Sequence, residues 1–279
     1  MDLRNKRALV TGGAAGIGFA TSMRLARAGC SVGICDIDPG ALERARQTLS
    51  TFGVPVVALR CDVTDPNAVG EMIRTAESAF GGIDILVNNA GFMAPGNFLD
   101  RPVADWAKTI DVNVQAILYT THAVLPGMYA RGEGHVVNVS SAAGTIGVAG
   151  LAAYAASKWA VWGLTESLRN ETWNLGVRGV RFSSVHPYYV AEGLFAGARV
   201  RGIGALIVPR LANHDVVARA IVEAALKRGR FSPKRPRSVR LAVLLRGILP
   251  DAAFQRVVRF LGIHRSMSTW KGKGNGETS

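Results

Sequence analysis

Between Arg7 and Val185, short runs of consecutive apolar, often β-branched residues alternate with stretches whose apolar residues recur at helical spacing. That alternation constrains the fold more than any other feature. Apolar runs without polar gaps belong to strands covered on both faces, and strand–helix alternation builds parallel sheets with right-handed crossovers. The pattern predicts strands over residues 7–11, 31–36, 54–60, 83–88, 135–140 and 177–185. It predicts helices over 17–28, 41–52, 67–80, 103–110, 114–130, 152–173 and 215–227. The expected class is α/β, with a doubly wound parallel sheet.

The 279 residues suit one large domain or two small ones, and no repeat or linker divides the body of the chain. With 48% hydrophobic and 19% charged residues, a disordered chain is excluded. Cys30, Cys35 and Cys61 are too few for a disulfide framework or a Cys-rich zinc module. Each lies in or beside a predicted strand, so they read as inert buried thiols in a reducing, cytoplasmic setting. No apolar run reaches the ~18 residues of a spanning helix, and the N-terminal residues hold no signal-peptide core.

The net charge of +13 is uneven: from Lys227 to Ser279, 13 Lys and Arg face only Asp251 and Glu277, a net of +11. The body is nearly neutral, unlike a basic nucleic-acid binder; no nucleic-acid motif is present, and no such partner is expected. The expected division is a main body over 1–230 and a basic amphipathic extension over 231–279. In the extension Leu241, Leu244, Leu245, Ile248 and Leu249 form an apolar stripe at helical spacing, and Phe254, Val257, Val258 and Leu261 form a second. Two readings stay open: the stripes pack on the body or a second subunit, or they rest peripherally on an anionic membrane. Residues 271–279, polar and Gly-rich, are expected to be disordered.

TGGAAGIG, Thr11 to Gly18, closes the first strand and opens the first helix. Glycines at Gly12, Gly16 and Gly18 allow a tight turn and a close backbone approach to a pyrophosphate. The helix N-terminus beyond, with Ile17 in its first turn, offers N–H groups to the phosphates. An ordinary Gly-rich turn is the competing reading. Asp36 ends the second strand eighteen residues after Gly18. An acidic residue there binds the ribose hydroxyls of NAD and repels the extra phosphate of NADP.

YAASK carries Tyr154 and Lys158 at i and i+4, on one helix face, with Ser141 thirteen residues before the tyrosine. An ammonium beside a phenol favours the phenolate, giving a proton donor and acceptor for interconverting an alcohol and a ketone. Tyr-x-x-x-Lys alone is uninformative; its weight comes from the dinucleotide turn, the acidic strand end and the serine that accompany it.

Together TGGAAGIG, Asp36, the NNAG of Asn88 to Gly91, Asn113, the NVSS of Asn138 to Ser141 and YAASK resemble the short-chain dehydrogenase/reductase family over roughly residues 5–230. The resemblance implies a Rossmann-like sheet of about seven strands, a nicotinamide cofactor and a homodimer or homotetramer. It implies Tyr154 as acid/base, Lys158 lowering its pKa and binding the nicotinamide ribose, Ser141 (rather than Ser140) on the substrate oxygen, and Asn113 holding a water in a relay to Lys158. Asp62 and Val63 would lie by the adenine, and Asn89, Gly91 and Pro187 along the cofactor cleft.

The match departs from the family after the sixth strand, at HPYYVAEGLF. Tyr188 stands where the family has glycine, and Glu192 where it has a threonine that bonds the carboxamide. Glu192 either faces the nicotinamide, favouring NAD⁺, or is a solvated loop carboxylate. The apolar connection from Tyr188 to Asn213, with Phe92, Met93, Val148 and Leu151, suggests a lipophilic substrate. The same stretch and the tail resemble the retinol- and hydroxysteroid-type branch. The expected activity is NAD(H)-dependent interconversion of a lipophilic or secondary alcohol and its carbonyl compound, with no metal. An acyl-chain ketoreductase and a scaffold without turnover are the alternatives.

Overall fold

The computed structural model describes residues 1–193 and 209–262. Most of the apolar connection after Tyr188, at 194–208, and the polar terminus at 271–279 lie outside the described residues. Strands β1 (Arg7–Thr11), β2 (Ser31–Asp36), β3 (Val56–Arg60), β4 (Ile85–Asn88), β5 (Gly134–Val139), β6 (Val180–Pro187) and β7 (Lys234–Arg235) form one sheet in the order β3-β2-β1-β4-β5-β6-β7. Every pairing is parallel. The order reverses between β1 and β4, which opens a crevice at their C-terminal ends where ligands of such sheets bind.

Helices α1 (Gly16–Arg27), α2 (Pro39–Ser50), α3 (Pro66–Phe80), α4 (Val103–Ile110), α5 (Ala116–Arg131) and α6 (Ala152–Asn174) alternate with the strands. Then come α7 (His214–Arg219), α8 (Val239–Ile248) and α9 (Asp251–Phe260). One face of the sheet packs Val10, Val32, Ile34 and Val137 against Leu25, Leu42, Val217, Ile221 and Leu226. The other packs Leu9, Leu86 and Val136 against Met72, Ile73, Val124 and Met128. Cover on both faces explains why the strands read as unbroken apolar runs. The three cysteines are free and buried, and burial pushes the Cys30 thiol up to about 12.

The differences from the predicted boundaries have local causes. Helices α2 and α3 begin at prolines because Asp38 and Asp65 cap them, accepting from Ala41 N at 3.0 Å and Asn67 N at 2.8 Å. Strand β6 runs to Pro187, two residues beyond expectation, because His186 and Pro187 pair with β7. Between α4 and α5 the chain winds as a π-helix over Asp111–Gln115, and after α7 it does so again over Ala220–Lys227. β7 lies past residue 230, so the sheet itself reaches into the basic C-terminal stretch.

Candidate active site

The strand ends at the crevice bring together most of the residues singled out above. Gly12 and Gly16 hold positive φ, +58° and +53°, and a Cβ on Gly18 would lie 1.9 Å from the Gly12 carbonyl oxygen. Only glycine permits this turn to fold so tightly against α1. Helix α1 starts after Ala15 with no side-chain cap and no acidic residue in its first turn. Its leading N–H groups, those around Ile17 and Gly18, are thus free to hold an anion. Asn89 stitches the turn to β4: its Nδ2 donates to the carbonyls of Thr11 and Gly12, both at 3.0 Å.

Asp36 stands half-buried at the end of β2, accepting from Ile37 N at 2.8 Å and Ala14 N at 3.4 Å. Its carboxylate therefore borders the same turn. Asp62 is exposed, and bonds from the Thr64 N–H (2.9 Å) and hydroxyl (2.7 Å) hold its carboxyl below the usual range; Val63 beside it is buried. This polar, glycine-lined cradle with an acidic end fits the pyrophosphate and ribose of a dinucleotide.

On the other side of the crevice, Ser141 follows β5 and Tyr154 and Lys158 lie one turn apart on α6. All three are buried, at 6%, 5% and 4% exposure. The Ser141 hydroxyl accepts from Ala143 N at 3.2 Å and donates to the Pro187 carbonyl at 3.5 Å. Ser140 turns inward and donates to the Lys158 carbonyl at 2.7 Å, which leaves Ser141 facing the crevice. Lys158 Nζ donates to the Val139 carbonyl at 3.0 Å and lies 5.7 Å from the centre of the Tyr154 ring.

Burial dominates the electrostatics. Desolvation pushes the Tyr154 phenol up to about 12, against the opposing influence of the Ser141 hydroxyl, and pushes the Lys158 ammonium down to about 8. Both groups are thus pressed toward their neutral forms in the free enzyme.

Asn113 sits on the π-helical stretch, wholly buried. Its side chain accepts from Phe92 N at 2.8 Å and donates to the Phe92 carbonyl at 2.9 Å and to Ser157 Oγ at 3.0 Å. A Cβ on Gly91 would lie 3.4 Å from Asn113 Oδ1 and 3.8 Å from Lys158 Nζ, so the glycine keeps these groups close. Glu192, 54% exposed at its side chain, pairs with His214 Nδ1 at 3.2 Å. The His214 ring in turn lies against Gly16.

Some participants escaped sequence reasoning. His186, wholly buried and lowered to about 3 by desolvation, places Nδ1 3.2 Å from the Ser141 carbonyl. Tyr189 packs with Tyr154, Met93 and Leu151. Both belong to the HPYY run, whose departure from the family pattern was the available signal.

The family model for short chain dehydrogenase matches residues 6–201. The cyclohexanol dehydrogenase of Acinetobacter sp. (strain SE19) is 34% identical over 193 residues, 69% of this chain and 76% of that protein. Epidermal retinol dehydrogenase 2 of Homo sapiens is 33% identical over 260 residues, 93% of this chain and 83% of that one. Among solved structures, a short chain dehydrogenase/reductase from Burkholderia phymatum in complex with NAD superposes with a TM-score of 0.80 at 29% identity, covering 91% of this chain and 96% of that one. The chain belongs to the short-chain dehydrogenase family. It is an oxidoreductase built on that family's Rossmann-like sheet.

Proposed function

We propose that this dehydrogenase uses NAD(H) to interconvert a lipophilic or secondary alcohol and its carbonyl compound, with Ser141, Tyr154 and Lys158 as the catalytic set and Asn113 supporting it. The observation that carries the reading is that Ser141, Tyr154 and Lys158 are buried together, with Tyr154 and Lys158 one turn apart on α6 and the Lys158 ammonium near the Tyr154 ring. The bound nicotinamide supplies the hydride acceptor in oxidation and the donor in reduction. Gly12, Gly16, Ile17 and Gly18 hold the pyrophosphate, Asp36 accepts from the ribose hydroxyls, and Asp62 and Val63 border the adenine. Asn89, Gly91 and Pro187 shape the cleft. Tyr154 takes the alcohol proton in one direction and returns it in the other, while Ser141 donates to the substrate oxygen. Lys158 stabilises the phenolate and bonds the nicotinamide ribose.

A recess lined by Ala142, Ala143, Ile146, Val148, Tyr188 and Tyr189 adjoins Ser141. Its apolar walls, and the similarity to retinol and cyclohexanol dehydrogenases, support a lipophilic substrate. Tyr154→Phe tests the assignment. It should lower turnover about 10³-fold and leave NADH binding within about twofold, the ring's packing being kept. Turnover near that of the native enzyme would remove Tyr154 from the mechanism.

Two statements about partners belong to the same proposal. Val103, Ile110 and Leu118 are exposed on α4 and α5, which supports a homodimer or homotetramer. The extension, taken as residues 231–279, touches an anionic membrane peripherally from an otherwise cytoplasmic enzyme. No helix among the described residues is long and apolar enough to cross a membrane. Leu245, Leu249, Phe254, Val258 and Leu261 of the two stripes pack inward. Leu241, Leu244, Ile248 and Phe260 stay exposed beside Arg237, Arg240, Arg256 and Arg259. Both readings of the stripes thus find support, on opposite sides of the helices.

A further inference from the structure

The segment 142–148 follows Ser141 and lines the apolar recess, yet much of what holds it comes from beyond residue 230. Ile146 packs with Phe254 and Val258, exposed 7%, 2% and 6%, in a cluster joined by Val148, Leu245, Leu249 and Leu261. At the other end of the segment, Ala142 packs with Val239, the first residue of α8, and with Tyr188. Between these two contacts lies Arg246. Its guanidinium sits 4.5 Å from the ring centre of Trp159 and 5.6 Å from that of Phe254, and Nη1 reaches the Thr145 carbonyl at 3.5 Å. Trp159 completes the grip from α6, its indole N–H donating to the Ala143 carbonyl at 2.9 Å. A planar guanidinium suits a place between two rings and a carbonyl, where a lysine ammonium would not stack.

We propose that α8 and α9 form the outer wall of the substrate site, and that Arg246 and Phe254 are positioning residues that set substrate size through segment 142–148. Ile146 and Val148 line the recess and also pack into the extension's cluster. Truncating Phe254 leaves Ile146 room to retreat, which deepens the recess. Removing the Arg246 guanidinium frees the segment that carries the wall and adjoins Ser141. The size argument rests on the assignment of this recess to the substrate.

The test has two arms. In the first, kcat/KM is measured with NAD⁺ over 2-alkanols from 2-butanol to 2-decanol. Phe254→Ala should raise the ratio of 2-decanol to 2-butanol at least tenfold, chiefly through KM, with NADH affinity within twofold of native. An unchanged ratio in a folded variant overturns the proposal; Phe254→Leu replaces the alanine variant if circular dichroism shows that it has not folded. In the second arm, hydrogen exchange is followed in the cofactor-free protein. Arg246→Met should speed exchange of the amides in 142–148 at least tenfold and leave those of β4 unchanged. Equal exchange in 142–148 likewise overturns the proposal. If the native enzyme oxidises none of the alcohols, the substrate class is wrong, and the exchange arm alone decides whether the extension holds the wall.

Discussion

Lysine 158 is the place where function and stability oppose each other most directly. It is 4% exposed, its ammonium donates to the Val139 carbonyl, and burial lowers its pKa from 10.5 to about 8. At ~1.4 kcal/mol per pH unit, holding that ammonium in place costs about 3 kcal/mol near neutral pH. Lys158→Met removes the charge at similar volume but strips the Val139 carbonyl of its donor, a loss of about 1 kcal/mol. The variant should therefore be more stable than the native enzyme by about 2 kcal/mol at pH ~7. For a chain of this size that raises Tm by about 4–8 °C. The sign of the pH dependence follows from linkage. The unfolded chain keeps the lysine proton up to 10.5 and the folded one releases it from about 8, so native stability rises between those values. By pH ~9.5 the cost falls to about 1 kcal/mol and the advantage of the variant should vanish. Thermal unfolding of both proteins at the two pH values measures this, and turnover should be lost throughout. A variant less stable at pH ~7, or an advantage that persists at pH ~9.5, would refute the argument that the ammonium is held at a cost.

Three further outcomes are expected. Asp36→Ala should narrow the preference for NAD over NADP by about tenfold or more, ~1.4 kcal/mol, in paired binding titrations; equal native affinities would show that Asp36 does not select. Glu192→Thr should change NAD⁺ and NADH affinities by the same factor, because the carboxylate pairs with His214 beside the pyrophosphate turn and the phosphates carry equal charge in both redox states; selective tightening of NADH would put Glu192 at the nicotinamide ring. The protein should cosediment with anionic vesicles at low salt, each arginine near the surface contributing ~1 kcal/mol, and Leu241→Ser with Leu244→Ser should weaken this without unfolding it; indifference to anionic lipid would leave the outer stripe to another subunit.

The sheet was legible because its central strands are buried on both faces, so six of seven announce themselves as apolar runs. β7 was not, since a two-residue strand reading Lys-Arg carries no such signal. Lys234 is nonetheless 6% exposed, with Nζ 4.7 Å from the Trp162 ring centre and Ser232 as its acceptor, and burial lowers it to about 8. This lysine is one of the thirteen basic residues counted from Lys227 to Ser279, yet it is part of the buried sheet edge. The site residues were legible as types at fixed spacings. What they touch was less so: that Ser140 turns to Lys158 while Ser141 faces the crevice is decided by strand alternation at the end of β5. The upward push on the phenol depends on the depth of the pocket, which a spacing of i and i+4 cannot report.

The departure at Tyr188 and the long extension read as separate oddities in the sequence, yet in the fold they meet. A glycine at 188 would leave Ala142 and Val239 without the ring that joins them. With tyrosine there, the ring packs on both and also stacks near Tyr189, 4.6 Å between ring centres. Tyr189 belongs to the cluster that encloses Tyr154. A continuous line of contacts therefore runs from α8 through Tyr188 and Tyr189 to the phenol. The phenol hydroxyl of Tyr188 is buried without a hydrogen-bond partner among the described residues, a cost that packing must offset. A residue kept at such a cost next to Ser141 is better understood as the body's half of the contact with the extension than as a neutral replacement for glycine.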